Sequence, residues 1–177
     1  IVGLEALIRW EHPVRGLLSP VEFIEIAERS NIIVGIGEWV IKQACKDLSS
    51  WQKMGFVDIS VAVNLSTVQL RQDNICDFIL NVLETENLKP NCLELEITES
   101  VIMDNITMAA EILHKLHDSG LKISIDDFGT GYSSLSYLKY LPLDTLKIDR
   151  SFVQDLLIDK NDRSIVKTII SMAHNLN

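Results

Sequence analysis

Residues that can bind cations or handle phosphate gather toward the ends of five strand-like runs in this sequence. Asn64 closes the run 58–64, Glu96 stands near the end of 92–98, and Asp126 ends 121–126 with Asp127 directly after it. Glu5 and Arg9 lie in the run 1–10, and Lys147 and Asp149 in 145–149. Carboxylates and an amide converging on one lysine cannot be buried without compensation. Hard divalent cations supply that compensation through oxygen ligands. Two adjacent aspartates suit a metal pair, and two cations about 3.5–4 Å apart are a standard arrangement for phosphoester hydrolysis. The alternative is a buried salt-bridge network or a set of solvated strand ends.

Those runs alternate with helix-like segments at 19–30, 37–54, 67–86, 104–119, 133–140 and 162–177. Ser19 is placed to cap the first of them, with Pro20 in its first turn. Gly55 and Gly120 close the second and fourth. Regular β–α alternation implies a parallel sheet with helical crossovers, either doubly wound or a barrel. The two faces of each strand decide between them. One face reads Glu5, Leu7, Arg9; Ser60, Ala62, Asn64; Glu94, Glu96, Thr98; Lys122, Ser124, Asp126; Thr145, Lys147, Asp149. The other is apolar, from Ala6, Ile8 and Trp10 through Val61 and Val63, Leu93, Leu95 and Ile97, to Ile123, Ile125, Leu146 and Ile148. A doubly wound sheet is apolar on both faces, so this pattern favours a barrel with a wet mouth. Barrel active sites are built at the C-terminal ends of the strands, where the acidic residues fall. Glu94 and Lys122 lie deeper and are expected to form a plain interior pair.

Composition narrows the classes further. The 177 residues carry a net charge of −9, which argues against a nucleic-acid polymer as partner. Cys45, Cys76 and Cys92 are scattered and lack zinc spacing, as expected of reduced thiols in a cytoplasmic domain. No apolar run approaches the ~20 residues of a membrane span. No membrane contact by this domain is expected, although a longer parent protein could carry an anchor. Asp127-Phe128-Gly129 spells a kinase motif without its companions. His114 and His117 border an apolar helical stripe and read as solvated, and His12 reads as a loop residue.

The same positions carry a family resemblance. Glu5-Ala6-Leu7-Ile8-Arg9-Trp10 resembles the EALxRW signature, and residues 63–66 the VNLS segment. Residues 95–99 resemble LEITE, 126–135 DDFGTGYSSL, and 146–149 with Phe152 LKIDxxF. All five occur in the order found in EAL-type cyclic di-GMP phosphodiesterases, across nearly the whole chain. The resemblance implies a TIM-like (β/α) barrel and metal-dependent hydrolysis of cyclic di-GMP to linear pGpG. It implies two Mg2+ or Mn2+ ions held by Glu5, Asn64, Glu96, Asp126 and Asp127. Lys147, with Glu5 and Asp127, falls at catalytic positions, the lysine beside the attacking water. Leu7 and Arg9 fall at substrate positions, Glu99 anchors the glycine-rich loop, and Asp149 supports the lysine. A homodimer through 127–141 is also implied.

The family pattern continues into AEGVE and QGY segments, and begins with a strand upstream of Glu5. Residues 1–177 are therefore expected to be a partial EAL domain with about five of eight strands. Every matched signature position is intact, which favours an enzyme. The competing readings are a non-hydrolytic cyclic di-GMP receptor and a protein-interaction domain.

Overall fold

A computed structural model describes residues 1, 3–129 and 137–176. Five parallel strands form one sheet: β1 (Gly3–Ala6), β4 (Ser60–Asn64), β5 (Leu93–Thr98), β6 (Lys122–Phe128) and β7 (Thr145–Ile148), side by side in that order. Two short antiparallel strands, β2 (Trp10–His12) and β3 (Gly16–Leu18), make a separate hairpin after β1. The parallel sheet curls as half of a barrel wall, with helices over its convex face.

The apolar face of the strands builds the core. Val61, Val63, Leu93, Leu95, Ile97, Ile123 and Ile125 are each at most 2% exposed. Helix α2 (Ile32–Lys53) covers them with Ile41, Ala44, Cys45 and Leu48, the i, i+3, i+4, i+7 spacing of one helical face. α4 (Ile75–Thr85) contributes Ile79, Val82 and Leu83, and α6 (Ile106–Asp118) contributes Ala109, Leu113 and Leu116. Burial pushes the Cys45 thiol up to about 12, consistent with an inert core cysteine.

Several boundaries differ from the sequence reading for identifiable reasons. The expected strand 1–10 stops at Ala6, so Leu7 and Arg9 lie beyond it and Trp10 opens the hairpin. Trp10 does not pack on the sheet; it meets His12 and Phe23 edge-on, ring centroids 4.9 and 5.8 Å away. His12, expected in a loop, instead ends β2, and its Nδ1 accepts from the backbone N–H groups of Val14 and Arg15 in the turn that follows. Ser19 and Glu22 form a reciprocal capping box on a single 3-10 turn, and α1 (Ile24–Arg29) follows. The segment 67–86 splits into α3 (Thr67–Leu70) and α4, which lets both Leu70 and Ile75 be buried. Two short helices, α5 (Glu99–Asp104) and α7 (Arg150–Gln154), arise directly after β5 and β7. The last helix, α8, spans Lys160–Leu176. Of the expected helix 133–140, residues 133–136 lie outside the described residues, and Leu138–Tyr140 form a 3-10 turn.

α2 begins five residues before the expected Gly37, carrying Gly35 and Gly37 within it. Gly37 has a packing reason. A Cβ there would lie 1.8 Å from Gln69 Nε2. Gln69 is 3% exposed, and its Oε1 accepts from the Ser66 N–H and hydroxyl. Gly37→Ala therefore displaces Gln69 and breaks the cap of α3. An alanine gains roughly 0.5–1 kcal/mol of helix propensity, and overpacking costs roughly 1–3 kcal/mol. Net destabilisation of about 1–2 kcal/mol is expected in urea unfolding; a more stable variant would show that Gln69 moves freely.

Candidate active site

Register in a parallel sheet aligns side chains of one face into layers. Glu5, Ala62, Glu94 and Lys122 form one layer, and Asn64, Glu96, Ser124 and Thr145 the next toward the strand ends. Glu94 and Lys122 are aligned as expected, but no ion pair joins them among the described residues, and Lys122 is exposed. The expected interior pair is absent because the lysine reaches solvent on this open face.

The sheet becomes irregular where the chemistry lies. Ile125 pairs with Leu146 and Phe128 with Ile148, so Asp126 and Asp127 together stand opposite Lys147. This is a β-bulge, with Asp127 in the left-handed region at φ 54°. Strict alternation would have turned Phe128 to the polar face. The extra residue returns it to the core, where it is 2% exposed. The bulge thus lets two consecutive aspartates serve the site. Gly129 continues the turn at φ 101°, and a Cβ there would sit 3.0 Å from the Phe152 ring and 3.3 Å from Ile169 Cδ1. Gly129→Ala is expected to cost about 1–3 kcal/mol through strain and overpacking. It should also displace Asp127. Comparing urea midpoints with turnover checks both effects.

Lys147 is the hub. Its Nζ donates to Glu96 Oε1, and the Glu96 side chain is fully buried whereas that of Lys147 is 33% exposed. The second oxygen, Glu96 Oε2, is buried with no hydrogen-bond partner. Asn64 Nδ2 donates to Glu5 Oε1 at 2.9 Å, linking the ends of β1 and β4. Asp149 caps α7, its Oδ1 accepting from the Ser151 N–H at 2.8 Å.

The electrostatics are those of a site overloaded with negative charge. Burial raises the Glu96 pKa despite Lys147, and Glu5 and Asp126 push the same way. Asp127 is exposed by area, yet partial burial, then the Asp126 charge, then a hydrogen bond to Asp149, raise its carboxyl. The Asp149 carboxyl is lowered by the Ser151 hydroxyl and N–H. Burial works against the Lys147 charge, but the hydrogen bond and charge of Glu96, with Glu5 and Asp126 behind, override it and raise the ammonium pKa. Three groups hold protons more tightly than usual, the response expected where anions outnumber cations.

The other expected positions are only partly drawn together. Leu7 is 53% exposed and lines a cleft of about 410 Å3 that also touches Asn64 and Glu96. The opposite wall comes from Val21, Ile24, Ile33 and Ile36, residues that strand patterning had no means of assigning to the site. Arg9 is exposed, and its Nη1 donates to the Ile8 carbonyl at 2.8 Å. Glu99 is buried in the first turn of α5, three residues beyond Glu96. Among the described residues, no three His, Cys, Asp or Glu side chains stand close enough to hold a metal ion as they are. The donor set is nonetheless of the right kind: hard oxygens, excess negative charge and an unpartnered buried carboxylate oxygen on Glu96.

A half-barrel with acidic groups at its strand ends around one lysine defines the class. The EAL domain model matches residues 1–177, and the chain belongs to the EAL domain family. It is 46% identical over 177 residues to the bifunctional diguanylate cyclase/cyclic di-GMP phosphodiesterase MucR of Pseudomonas aeruginosa, covering all of this chain and 26% of that protein. It is 45% identical over 173 residues to the cyclic di-GMP phosphodiesterase NbdA of the same organism, covering 98% of this chain and 22% of that one. The chain thus spans about a quarter of the length of these curated relatives. Among solved structures, the MucR phosphodiesterase in complex with cyclic di-GMP superposes with a TM-score of 0.95 at 46% identity, covering 100% of this chain and 72% of that one. The FimX EAL domain of Pseudomonas aeruginosa, bound to cyclic di-GMP, matches with a TM-score of 0.86 at 26% identity, covering 97% and 68%.

Proposed function

We propose that this chain hydrolyses cyclic di-GMP to linear pGpG with the help of Mg2+ or Mn2+. The observation that carries the reading is the charged Lys147, held against buried Glu96 and faced by the bulged Asp126-Asp127 pair. In hydrolysis a water oxygen bonds to phosphorus, the bond from phosphorus to the 3′-oxygen breaks, and that oxygen leaves with a proton. Glu5, Asn64, Glu96, Asp126 and Asp127 would hold the cations. When bound, the cations would acidify the attacking water and offset charge on the phosphoryl oxygens.

The protein's own groups define the remaining roles. Lys147 stays protonated among its carboxylates, so it orients the water rather than taking its proton. Arg9 is free to swing a guanidinium fork onto a phosphate, since its present bond is to its own neighbour's carbonyl. Leu7 offers an apolar contact at the cleft beside Asn64 and Glu96. Asp149 shares a hydrogen bond with Asp127 while Asp127 holds a proton, and so steadies the bulge before the cations bind. Glu99 supports the loop that leaves Gly129. A homodimer through 127–141 belongs to the same proposal; residues 130–136 of that segment lie outside the described residues. No helix among the described residues is long and apolar enough to cross a membrane.

The test is incubation of the chain with cyclic di-GMP and Mn2+, followed by chromatography. The expected product is pGpG, abolished by a chelator. Cyclic di-GMP recovered unchanged from an undamaged, folded chain would refute the reading.

A further inference from the structure

Two very short helices flank the candidate site. Asn64 and Glu96 are register partners at the ends of β4 and β5. The helix α3 begins soon after Asn64, and α5 begins soon after Glu96. Gln69 of α3 and Val101 of α5 line the same cleft of about 410 Å3 that touches Asn64 and Glu96. Helices this short are not stable alone, so tertiary contacts must hold them in place.

A backbone bond joins the two strand ends, from the Leu65 N–H to the Glu96 carbonyl at 2.8 Å. Further out, Arg71 Nη2 pairs with Asp104 Oδ2. Arg71 is the C-cap of α3, and Asp104 is the last residue of α5. A cation suits the C-terminal end of a helix, whereas a carboxylate there opposes the macrodipole. Asp104 is thus unfavourable for its own helix, and its pairing with Arg71 gives it a place. The two residues are 33 apart in sequence, so the pair ties one βα connection to the next rather than stiffening either.

We propose that Arg71 and Asp104 are a positioning pair that holds α3 against α5, and so sets the spacing of Asn64 and Glu96 and the width of the cleft between them. The inference rests on the phosphodiesterase reading above. Neither residue lines the cleft, so the pair acts through the two helices and does not touch the ligand. The side chains are 52% and 38% exposed, so removing either one leaves no buried charge behind. The free chain should therefore melt within roughly 4 °C of wild type. Turnover and apparent Mn2+ affinity should each fall roughly two- to fivefold, the range an exposed ion pair can supply. Salt should reproduce the loss in the wild type, because it screens such a pair.

The experiment compares wild type, Arg71→Ala, Asp104→Ala, the double alanine variant, and the reversed pair Arg71→Asp with Asp104→Arg. It measures melting temperature across a Mn2+ titration, and cyclic di-GMP turnover at low and high salt. The expected result is a similar loss in each single variant, no further loss in the double, and recovery of at least about half in the reversed pair. At high salt the wild type should approach the alanine variants. Single variants with wild-type Mn2+ response and turnover overturn the inference. So do losses that add in the double variant and persist in the reversed pair, because the two groups then act separately. A wild type that neither responds to Mn2+ nor releases pGpG overturns the phosphodiesterase reading, and the inference with it.

Discussion

Lys147→Met is expected to reduce cyclic di-GMP hydrolysis by at least about 100-fold, the lower range for loss of one preorganised charged donor. Methionine keeps most of the side chain's length and removes only the charge and the donor. The Glu96 side chain would then be fully buried with neither carboxylate oxygen paired, since Oε2 has no partner even now. Breaking a fully buried pair costs about 3–5 kcal/mol. Because the lysine side chain is 33% exposed, solvent screening brings the expected loss to about 1–3 kcal/mol. The sign with pH is definite. Burial already raises the Glu96 pKa above its unfolded value, and losing Lys147 raises it further. A raised carboxyl favours the folded state below the unfolded pKa and loses that contribution as pH rises through the folded pKa. The deficit of Lys147→Met should therefore be largest at neutral and alkaline pH and shrink on acidification. Glu96→Gln placed on top of Lys147→Met should recover stability and leave hydrolysis absent. Urea unfolding across pH, beside turnover, measures both. A deficit that grows on acidification would contradict the assignment.

Leu95→Ala is expected to cost about 2–5 kcal/mol, the range for deleting a buried leucine where the surroundings cannot collapse. Leu95 is 0% exposed on β5, the central strand, paired with Val63 on one side and Ile123 on the other. Strands on both sides hold its backbone, so relaxation into the cavity is limited. Domains of this kind hold only about 5–15 kcal/mol in total, so the variant should melt roughly 5–15 °C lower. The adjacent residue, Glu96, projects to the opposite face, so hydrolysis by the fraction still folded should be close to wild type. Differential scanning calorimetry with turnover measured well below the transition separates the two effects. Loss of activity without loss of stability would mean that the two faces of β5 are coupled.

Alternation along the strands was enough to place the site's central layers. Asn64, Glu96 and Ser124 share a face and a register because each strand keeps a strict period of two up to that point. The same logic failed where the period breaks. The bulge at Asp126-Asp127 inserts one residue, and no propensity in an Asp-Asp-Phe run announces it. The φ of Asp127 is the physical signature, and the sequence carries only the weak hint of a following Gly129. β1 was read too long for a related reason. Leu7 and Arg9 continue the alternation, but the chain leaves the sheet after Ala6 to start the hairpin. The sequence reading started the second helix at Gly37, whereas Gly37 lies inside α2 and is there for the approach of Gln69. Contacts of that kind join residues distant in the chain, and a local pattern cannot encode them.

The central claim is that the acidic cluster around Lys147 performs hydrolysis and does not merely bind. It is tested most directly by measuring cyclic di-GMP binding and pGpG release together, with Mn2+, in the wild type and in Glu5→Ala. The Glu5 side chain is exposed and accepts a hydrogen bond from Asn64, so its loss should leave the fold intact. The account predicts pGpG from the wild type, and from Glu5→Ala product reduced by at least about 100-fold with binding retained in part. A wild type that binds cyclic di-GMP and releases no pGpG would contradict it and make this chain a receptor.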